Sequence, residues 1–244
     1  MKTVTMPFTG RFGNLLFQWA YIRAFAEQNG YELCLPEWIG EKIFNIPKAR
    51  RPVGFPIDLI LPEDTHQRQS SLIYTRKQVR EWFAIRPEIL AKLRALDENR
   101  KHVLLNVRQG RDYTDAGLVT LSVESYINAC ANLGYDNPND VEWETDLNPM
   151  MLPDFTGDIS ASGLCTTWVG LPSFYRLMTA PVLFRANSSF SWWASTLSDG
   201  VIYSPVIKGI QGGVPNQRCD NFILGNWPVC CDNHPNTDLH LKEL

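Results

Sequence analysis

The chain lacks the features that would settle a function class at a glance. Its 244 residues carry a net charge of only -3, which gives no electrostatic case for binding nucleic acid or an anionic membrane surface. No apolar run approaches the length of a bilayer span, and the longest helical candidate is interrupted by charged residues. Histidine is scarce: four residues, widely scattered, show no zinc-ligand spacing. Six cysteines, at 34, 130, 165, 219, 230 and 231, contain no CxxC pair, and the adjacent Cys230 and Cys231 are poorly placed to bridge each other. Reduced cysteines and no structural metal are therefore expected. There is no internal repeat and no low-complexity segment. The N-terminus, Met1-Lys-Thr-Val-Thr-Met-Pro, has no signal-peptide core, so the expected location is cytoplasmic.

What is present is ordinary globular composition, 44% hydrophobic and 20% charged, with enough chain for one large domain or two modest ones. The informative stretch is Val103-Leu-Leu-Asn-Val-Arg-Gln-Gly-Arg-Asp-Tyr113. It reads as a buried strand that ends by delivering Arg108 beyond its carboxyl end, where ligands sit in open α/β sheets. An arginine fork there suits phosphate or carboxylate. It equally suits a structural ion pair, for instance with Asp112.

Earlier in the chain, Thr3–Met6 reads as a strand, Pro7–Gly13 as a glycine-rich turn, Leu15–Gln28 as a helix apolar nearly all round, and Glu32–Leu35 as a returning strand. Asn29-Gly30 stops that helix. The turn presents Arg11 and Asn14 where helix N–H groups favour an anion. A surface arginine and an N-cap asparagine are the plain alternatives. From Pro36 to Gln69 loop dominates, with a short strand near Ile57–Leu61. Helices are expected over Thr75–Phe83 and Arg86–Asp97, and the charged stretch Asp97–Lys101 marks a domain boundary.

A helix over Ser122–Leu133, a strand over Val141–Thr145 ending at Asp146, a loop over Pro149–Gly163, a strand over Leu164–Val169 and a helix over Pro172–Met178 follow. Val182–Ala186 is a further strand, leading at once into Asn187-Ser-Ser-Phe-Ser-Trp-Trp-Ala194 and a helix to about Ser198. Ser188 and Ser189 thus fall at a helix N-terminus, suited to a diphosphate or simply to capping. Val201–Ser204 returns as a strand. Glycine, proline and asparagine dominate from Gln211, so the tail is expected to be weakly structured or to pack as an arm. Two βαβ-rich halves imply two facing Rossmann-like domains with a cleft between them.

Three stretches together resemble the α-1,2-fucosyltransferase family, whose distant relatives are the α-1,6- and protein O-fucosyltransferases. Gly10-Arg-Phe-Gly-Asn-Leu-Leu-Phe-Gln-Trp-Ala20 is similar to its N-terminal signature, Asn106-Val-Arg-Gln-Gly-Arg-Asp-Tyr113 to its His-x-Arg-x-Gly-Asp-Tyr motif, and Asn187–Ala194 to its C-terminal motif. Val141-Glu-Trp-Glu-Thr-Asp146 stands in the place of a fourth. The departures are Asn106 for a usual histidine, an extra Arg111 before Asp112, Leu15 for a glutamine and Leu147 for a second aspartate.

The resemblance implies a GT-B-like α/β fold: an acceptor-side domain over 1–98 and a nucleotide-sugar-binding domain over 99–244. It implies an inverting, metal-independent transfer of fucose from GDP-fucose to a glycan hydroxyl, in α-1,2 linkage, with no cofactor beyond the donor substrate. Arg108, Asn187, Ser188, Ser189 and Phe190 would bind the diphosphate end of the donor, Asp146 the guanosine, and Gly13 would line the donor side. Asn14 and Arg11 would orient donor and acceptor, and Asp112 and Asp115 stand near the reaction, neither assignable as a base since either can pair with Arg108 or Arg111. Phe190, Trp192 and Trp193 read as helix core rather than as sugar platforms. The alternatives are a transferase of the same frame using another nucleotide deoxysugar, and a non-catalytic nucleotide-sugar or glycan-binding relative. Oligomeric state and acceptor identity are outside the reach of the sequence.

Overall fold

The computed structural model describes residues 2–54, 56–62, 73–97, 100–108, 120–135, 137, 139–145, 170–206 and 221–226. Asp112, Asp115 and Asp146, the loop and strand expected between Pro149 and Val169, and Cys165, Cys219, Cys230 and Cys231 lie outside the described residues. The chain divides into two compact units, one within residues 1–92 and the other beginning at Leu93.

In the first unit, β1 (Thr3–Thr5) pairs in parallel with β2 (Glu32–Leu33) on one side and β3 (Leu59–Ile60) on the other. Between β1 and β2 runs α1 (Phe12–Asn29), largely buried as far as Ala26 because residues 15–22 are apolar nearly all round, with Glu27, Gln28 and Asn29 exposed at its end. Gly30 ends it in the left-handed conformation (φ 69°), its N–H bonded to the Ala26 carbonyl, as the Asn-Gly stop predicts. The short α2 (Gly40–Ile43) was not foreseen in the loop region. Arg86 holds its end from a distance, donating to the carbonyls of Glu41 (2.9 Å) and Phe44 (3.1 Å). Next come α3 (Arg76–Trp82), opened by a Thr75–Gln78 capping box, and α4 (Pro87–Leu96).

Aromatic rings fill the space between these helices. Trp19 on α1 meets Phe83 at 5.3 Å, Trp82 at 5.8 Å and Trp38 at 6.1 Å, and Phe44 meets Phe83 at 5.1 Å. Gly40 lies flat on the Trp38 ring, so closely that a Cβ there would sit 2.1 Å from it.

The second unit is a five-stranded sheet in the order β5-β4-β6-β7-β8. Its strands are β4 (Val103–Val107), β5 (Val141–Thr145), β6 (Val182–Phe184), β7 (Val201–Val206) and β8 (Asn221–Leu224). All neighbours pair in parallel except β7 and β8. β8 corrects the expectation of a weakly structured tail: Asn221–Leu224 is a strand because β7 offers it an open edge. Helices α5 (Val123–Asn132, capped by Ser122), α6 (Leu171–Thr179) and α7 (Ser189–Leu197) make the crossovers.

One face of β4, Val103, Leu105 and Val107, packs with Tyr126, Cys130, Phe184 and Phe222 into the core. Cys34 and Cys130 are free and buried, and desolvation raises both thiols, Cys130 to about 11. They are therefore protonated, inert side chains at neutral pH.

On the other side of the sheet, α6 is held to β5 by charge. Arg176 donates to Glu142 (2.6 Å) and Glu144 (2.9 Å) and stands 3.6 Å from Asp97, while Ser173 donates to Glu144 (2.6 Å). Asp97 also meets Arg100 at 3.2 Å. Burial pushes the Asp97 carboxyl above its ordinary range, against the downward pull of Arg100 and Arg176.

Two outcomes follow. Replacing Arg176 by Met strands partly buried carboxylates, and chemical denaturation should show a loss of about 2 kcal/mol, between the values for surface and buried pairs. For Asp97 the folded state holds its proton more tightly than the unfolded chain. Its contribution to stability is thus fullest below the ordinary aspartate range and is lost as pH rises through the raised pKa. Asp97→Asn should flatten that segment of a stability-versus-pH curve; an unchanged slope would refute the assignment.

Candidate functional site

Sheet topology picks out one position in each unit. In the second unit the chain leaves β4 for β5 on one side, then returns past β4 to β6 and continues outward to β7. The order therefore reverses between β4 and β6, and the crevice at their carboxyl ends is where open α/β sheets bind ligands. Arg108, half-buried, follows β4 directly at this point. Across the reversal, β6 leads through Arg185 and Ala186 to Asn187 and Ser188, both buried, and then to the first turn of α7.

Asn106 ties the ends of these strands to one another. Its Nδ2 donates to the Glu144 carbonyl on β5 (3.3 Å), and its Oδ1 accepts from the Ala186 N–H beyond β6 (3.3 Å). The residue that stands in place of a histidine thus spends its amide on backbone. On the next segment Ser188 acts as the N-cap of α7, its hydroxyl oxygen accepting from the Ser191 N–H at 3.1 Å. The capping role is therefore real for Ser188. Ser189 and Phe190 form the first turn of the helix behind it. The Phe190 ring turns toward α6 and meets Phe174 edge-on at 5.2 Å. Trp192 and Trp193 are wholly buried and perpendicular to each other at 5.1 Å, which makes them core, as the sequence indicates.

In the first unit the same reversal falls between β1 and β3, and the loop that rises there carries the glycine motif. Arg11 is the exposed N-cap of α1, with no side-chain cap bond, and the helix starts at Phe12 rather than at Leu15. Asn14 consequently sits in the third helical position, its N–H bonded to the Arg11 carbonyl at 2.8 Å, so its alternative reading as the N-cap is corrected. Gly13 is buried one residue before it.

Gln18, 0% exposed, reaches back to fix the loop. Its Oε1 accepts the Thr9 N–H (3.0 Å), and its Nε2 donates to the Thr9 carbonyl (3.1 Å) and hydroxyl (3.2 Å). Gly10 has φ 80°, and its Cα faces the Asn14 amide so closely that a Cβ would lie 2.5 Å from Nδ2.

The structure therefore brings Arg108, Asn187, Ser188, Ser189 and Phe190 to one sheet edge in the second unit, and Arg11, Gly13 and Asn14 to one helix start in the first. Asp112 and Asp146 lie outside the described residues. Among the described residues no group of three or more His, Cys, Asp or Glu side chains could hold a metal ion, and no helix is long and apolar enough to cross a membrane. Sequence reasoning passed over Gln18 and Arg185. Each left a signal: a single amide inside the apolar run Leu15–Ile22, and a charge directly after the apolar run Val182-Leu-Phe184.

The glycine loop yields a stability test. Gly10→Ala combines a left-handed backbone with contact against Asn14, so it should destabilise by about 1–2 kcal/mol. Urea denaturation would measure this, and a neutral result would mean the loop relaxes without strain. Ser188→Ala should cost about 1 kcal/mol as a lost cap.

No protein-family model matches the sequence, and no curated protein matches it. Solved structures do. A NodZ α-1,6-fucosyltransferase soaked with GDP-fucose aligns with a TM-score of 0.56 at 14% identity, covering 92% of this chain and 99% of that one. A fucosyltransferase NodZ from Bradyrhizobium gives 0.55 at 14% identity over 92% and 98%. NodZ co-crystallised with GDP gives 0.51 at 14% identity over 84% and 95%. At these identities the likeness is one of fold: the chain is α/β with parallel sheets, as are these fucosyltransferases, whose fold is GT-B-like.

Proposed function

We propose that this protein transfers fucose from GDP-fucose to a hydroxyl of a glycan acceptor, by an inverting, metal-independent route and in α-1,2 linkage. The observation that carries the reading is the sheet reversal in the second unit, where Arg108 follows β4 and the start of α7 follows β6, the two strands on either side of the reversal. Its support from outside the chain is the shared fold with enzymes solved with GDP-fucose and with GDP. In this reading residues 99–244 hold the donor and residues 1–98 serve the acceptor.

The chemistry asks for what this edge offers. The acceptor oxygen bonds to the anomeric carbon of fucose while the bond from that carbon to the diphosphate oxygen breaks, and GDP leaves with the electron pair. Positive charge grows on the sugar and negative charge on the diphosphate. Without a metal, fixed donors must meet the latter. Arg108 supplies charge and a fork of N–H groups; the start of α7, with Asn187, Ser188, Ser189 and the Phe190 backbone, supplies aimed dipoles. Asp146 is assigned to the guanosine on the motif resemblance alone. Arg11, Gly13 and Asn14 serve donor and acceptor orientation. Asp112 stands in the motif beside Arg108. A loose, oxocarbenium-like transition state asks little of a base, and the acceptor proton passes to solvent or to a carboxylate.

The direct test is incubation with GDP-fucose, following GDP release with and without glycan acceptors and determining the product linkage by NMR. Turnover should survive EDTA; a divalent ion whose removal abolishes it would overturn the metal-free account. Arg108→Ala should lower the rate by about two orders of magnitude, some ~3 kcal/mol of transition-state stabilisation, with a smaller loss of donor affinity. Arg108→Lys should rescue little, because lysine keeps the charge without the fork. Asn14→Ala should slow turnover while GDP binding stays near normal. A folded Arg108→Ala enzyme with normal transfer would sink the proposal.

A further inference from the structure

Arg185 is 0% exposed, although it follows a β-strand whose other residues are apolar. Removing a guanidinium from water is expensive unless its donors find acceptors, and a leucine or methionine would fill similar space without that cost. The bonds it makes show what an apolar side chain could not do. Its Nε donates to the Ser204 hydroxyl on β7 (2.8 Å), and that hydroxyl donates onward to the Gly225 carbonyl beyond β8 (2.7 Å). Its Nη1 donates to the carbonyl of Ala186 (2.9 Å).

That carbonyl also accepts from the Ser191 hydroxyl (2.8 Å), while the Ala186 N–H is held by Asn106 (3.3 Å). The peptide groups flanking Ala186 are thus fixed directly by side chains from three places, Asn106 on β4, Arg185 at the end of β6 and Ser191 on α7, and through Arg185 by a fourth, Ser204 on β7. Ala186 is the last residue before Asn187 and the cap of α7. Its backbone torsions set where the first-turn N–H groups point. A displacement of about 1 Å at such a position is enough to degrade alignment with a bound group.

The geometry points to Arg185 as a positioning residue for the nucleotide diphosphate: it acts through the Ala186 carbonyl, without touching the ligand, to hold the Asn187–Phe190 turn in its binding conformation. This rests on the reading of that turn as the donor site. It divides the labour between the two arginines at this edge. Arg108, half-buried beyond β4, is placed to contact the diphosphate; Arg185, sealed beneath the turn, sets the angle of the dipoles that meet it.

The test uses the full chain and GDP as the probe. Affinity is measured by calorimetry well below the melting temperature, with circular dichroism to verify folding. A purely structural role would lower the melting temperature and leave GDP affinity in the folded protein unchanged. Positioning predicts that Arg185→Met and Arg185→Lys both bind GDP about tenfold more weakly, since lysine cannot serve Ser204 and Ala186 together. A folded variant of either kind with wild-type GDP affinity would overturn the inference.

Should both fail to fold, Ser204→Ala decides, because it removes a single acceptor and keeps the charge. It should speed amide hydrogen exchange at residues 186–189 and weaken GDP binding about threefold; no change in either is the contrary result. A wild-type protein that binds no GDP would sink the functional reading instead. The exchange rates at 186–189 would still report whether Arg185 and Ser204 fix the turn.

Discussion

The side-chain amide of Asn106 joins three strand ends. Where a sheet reverses its order the connections leave neighbouring strands in opposite directions, and backbone groups beyond the last ladder pair need other partners if they are shielded from water. Asn106 meets backbone on both sides of β4 at once, a donor to the Glu144 carbonyl on β5 and an acceptor for the Ala186 N–H beyond β6. Aspartate could accept without donating; leucine could do neither. The carboxyl ends of β4, β5 and β6 are consequently held at a fixed spacing, and Arg108 and the start of α7 are carried on them.

The first unit solves a similar problem with the same chemistry. Gln18 offers one amide to the backbone of Thr9, fixing the loop above β1 from inside a helix with no other polar business in the core. Neutral amides suit these positions because they satisfy donor and acceptor together without the desolvation cost of a charge. Where the fold does bury charge, it surrounds it: Arg176 by Glu142, Glu144 and Asp97, Arg185 by a hydroxyl and a carbonyl. Behind Gln18 the aromatic cluster of Trp19, Trp38, Phe44 and Phe83 makes a wall with few rotamers to explore. The loop is fixed at its base by hydrogen bonds and along its helix by packing.

Much of this was legible because it is local. Runs such as Val103–Val107 and Val141–Thr145 declare strands, and Thr75, Ser122 and Gly30 declare helix ends through bonds to residues within five positions. Elements that depend on distant partners were hidden. β8 lies in a stretch rich in turn residues and exists because β7 has an unfilled edge. Helix α2 has four residues, too few for periodicity, and its carbonyls are satisfied by Arg86, 45 and 42 residues further on. The early start of α1 escaped because Arg11 makes no side-chain cap, leaving no marker to read. Arg185 announced a charge in an apolar run. That it points inward, to Ser204 on the neighbouring strand, is a fact of sheet register and not of sequence.

The same distinction governs how the candidate site can work. A departing diphosphate gains charge within the life of a transition state, too briefly for a soft site to reorganise around it. Donors stabilise it only if their orientation was settled during folding. Arg108 can contribute charge from a flexible stem, but backbone dipoles at the start of α7 cannot be redirected one at a time; they move with the peptide planes of Ala186 and Asn187. Holding those planes therefore has to be done from beneath, by groups out of reach of solvent and ligand alike. Asn106, Ser191 and Arg185 occupy that layer, and each is buried. Polar side chains placed so deep weaken a core that apolar residues could have filled more cheaply. Their common partner is Ala186, the one residue that precedes the turn, and under the proposed function this convergence is what would make the layer a support for the site.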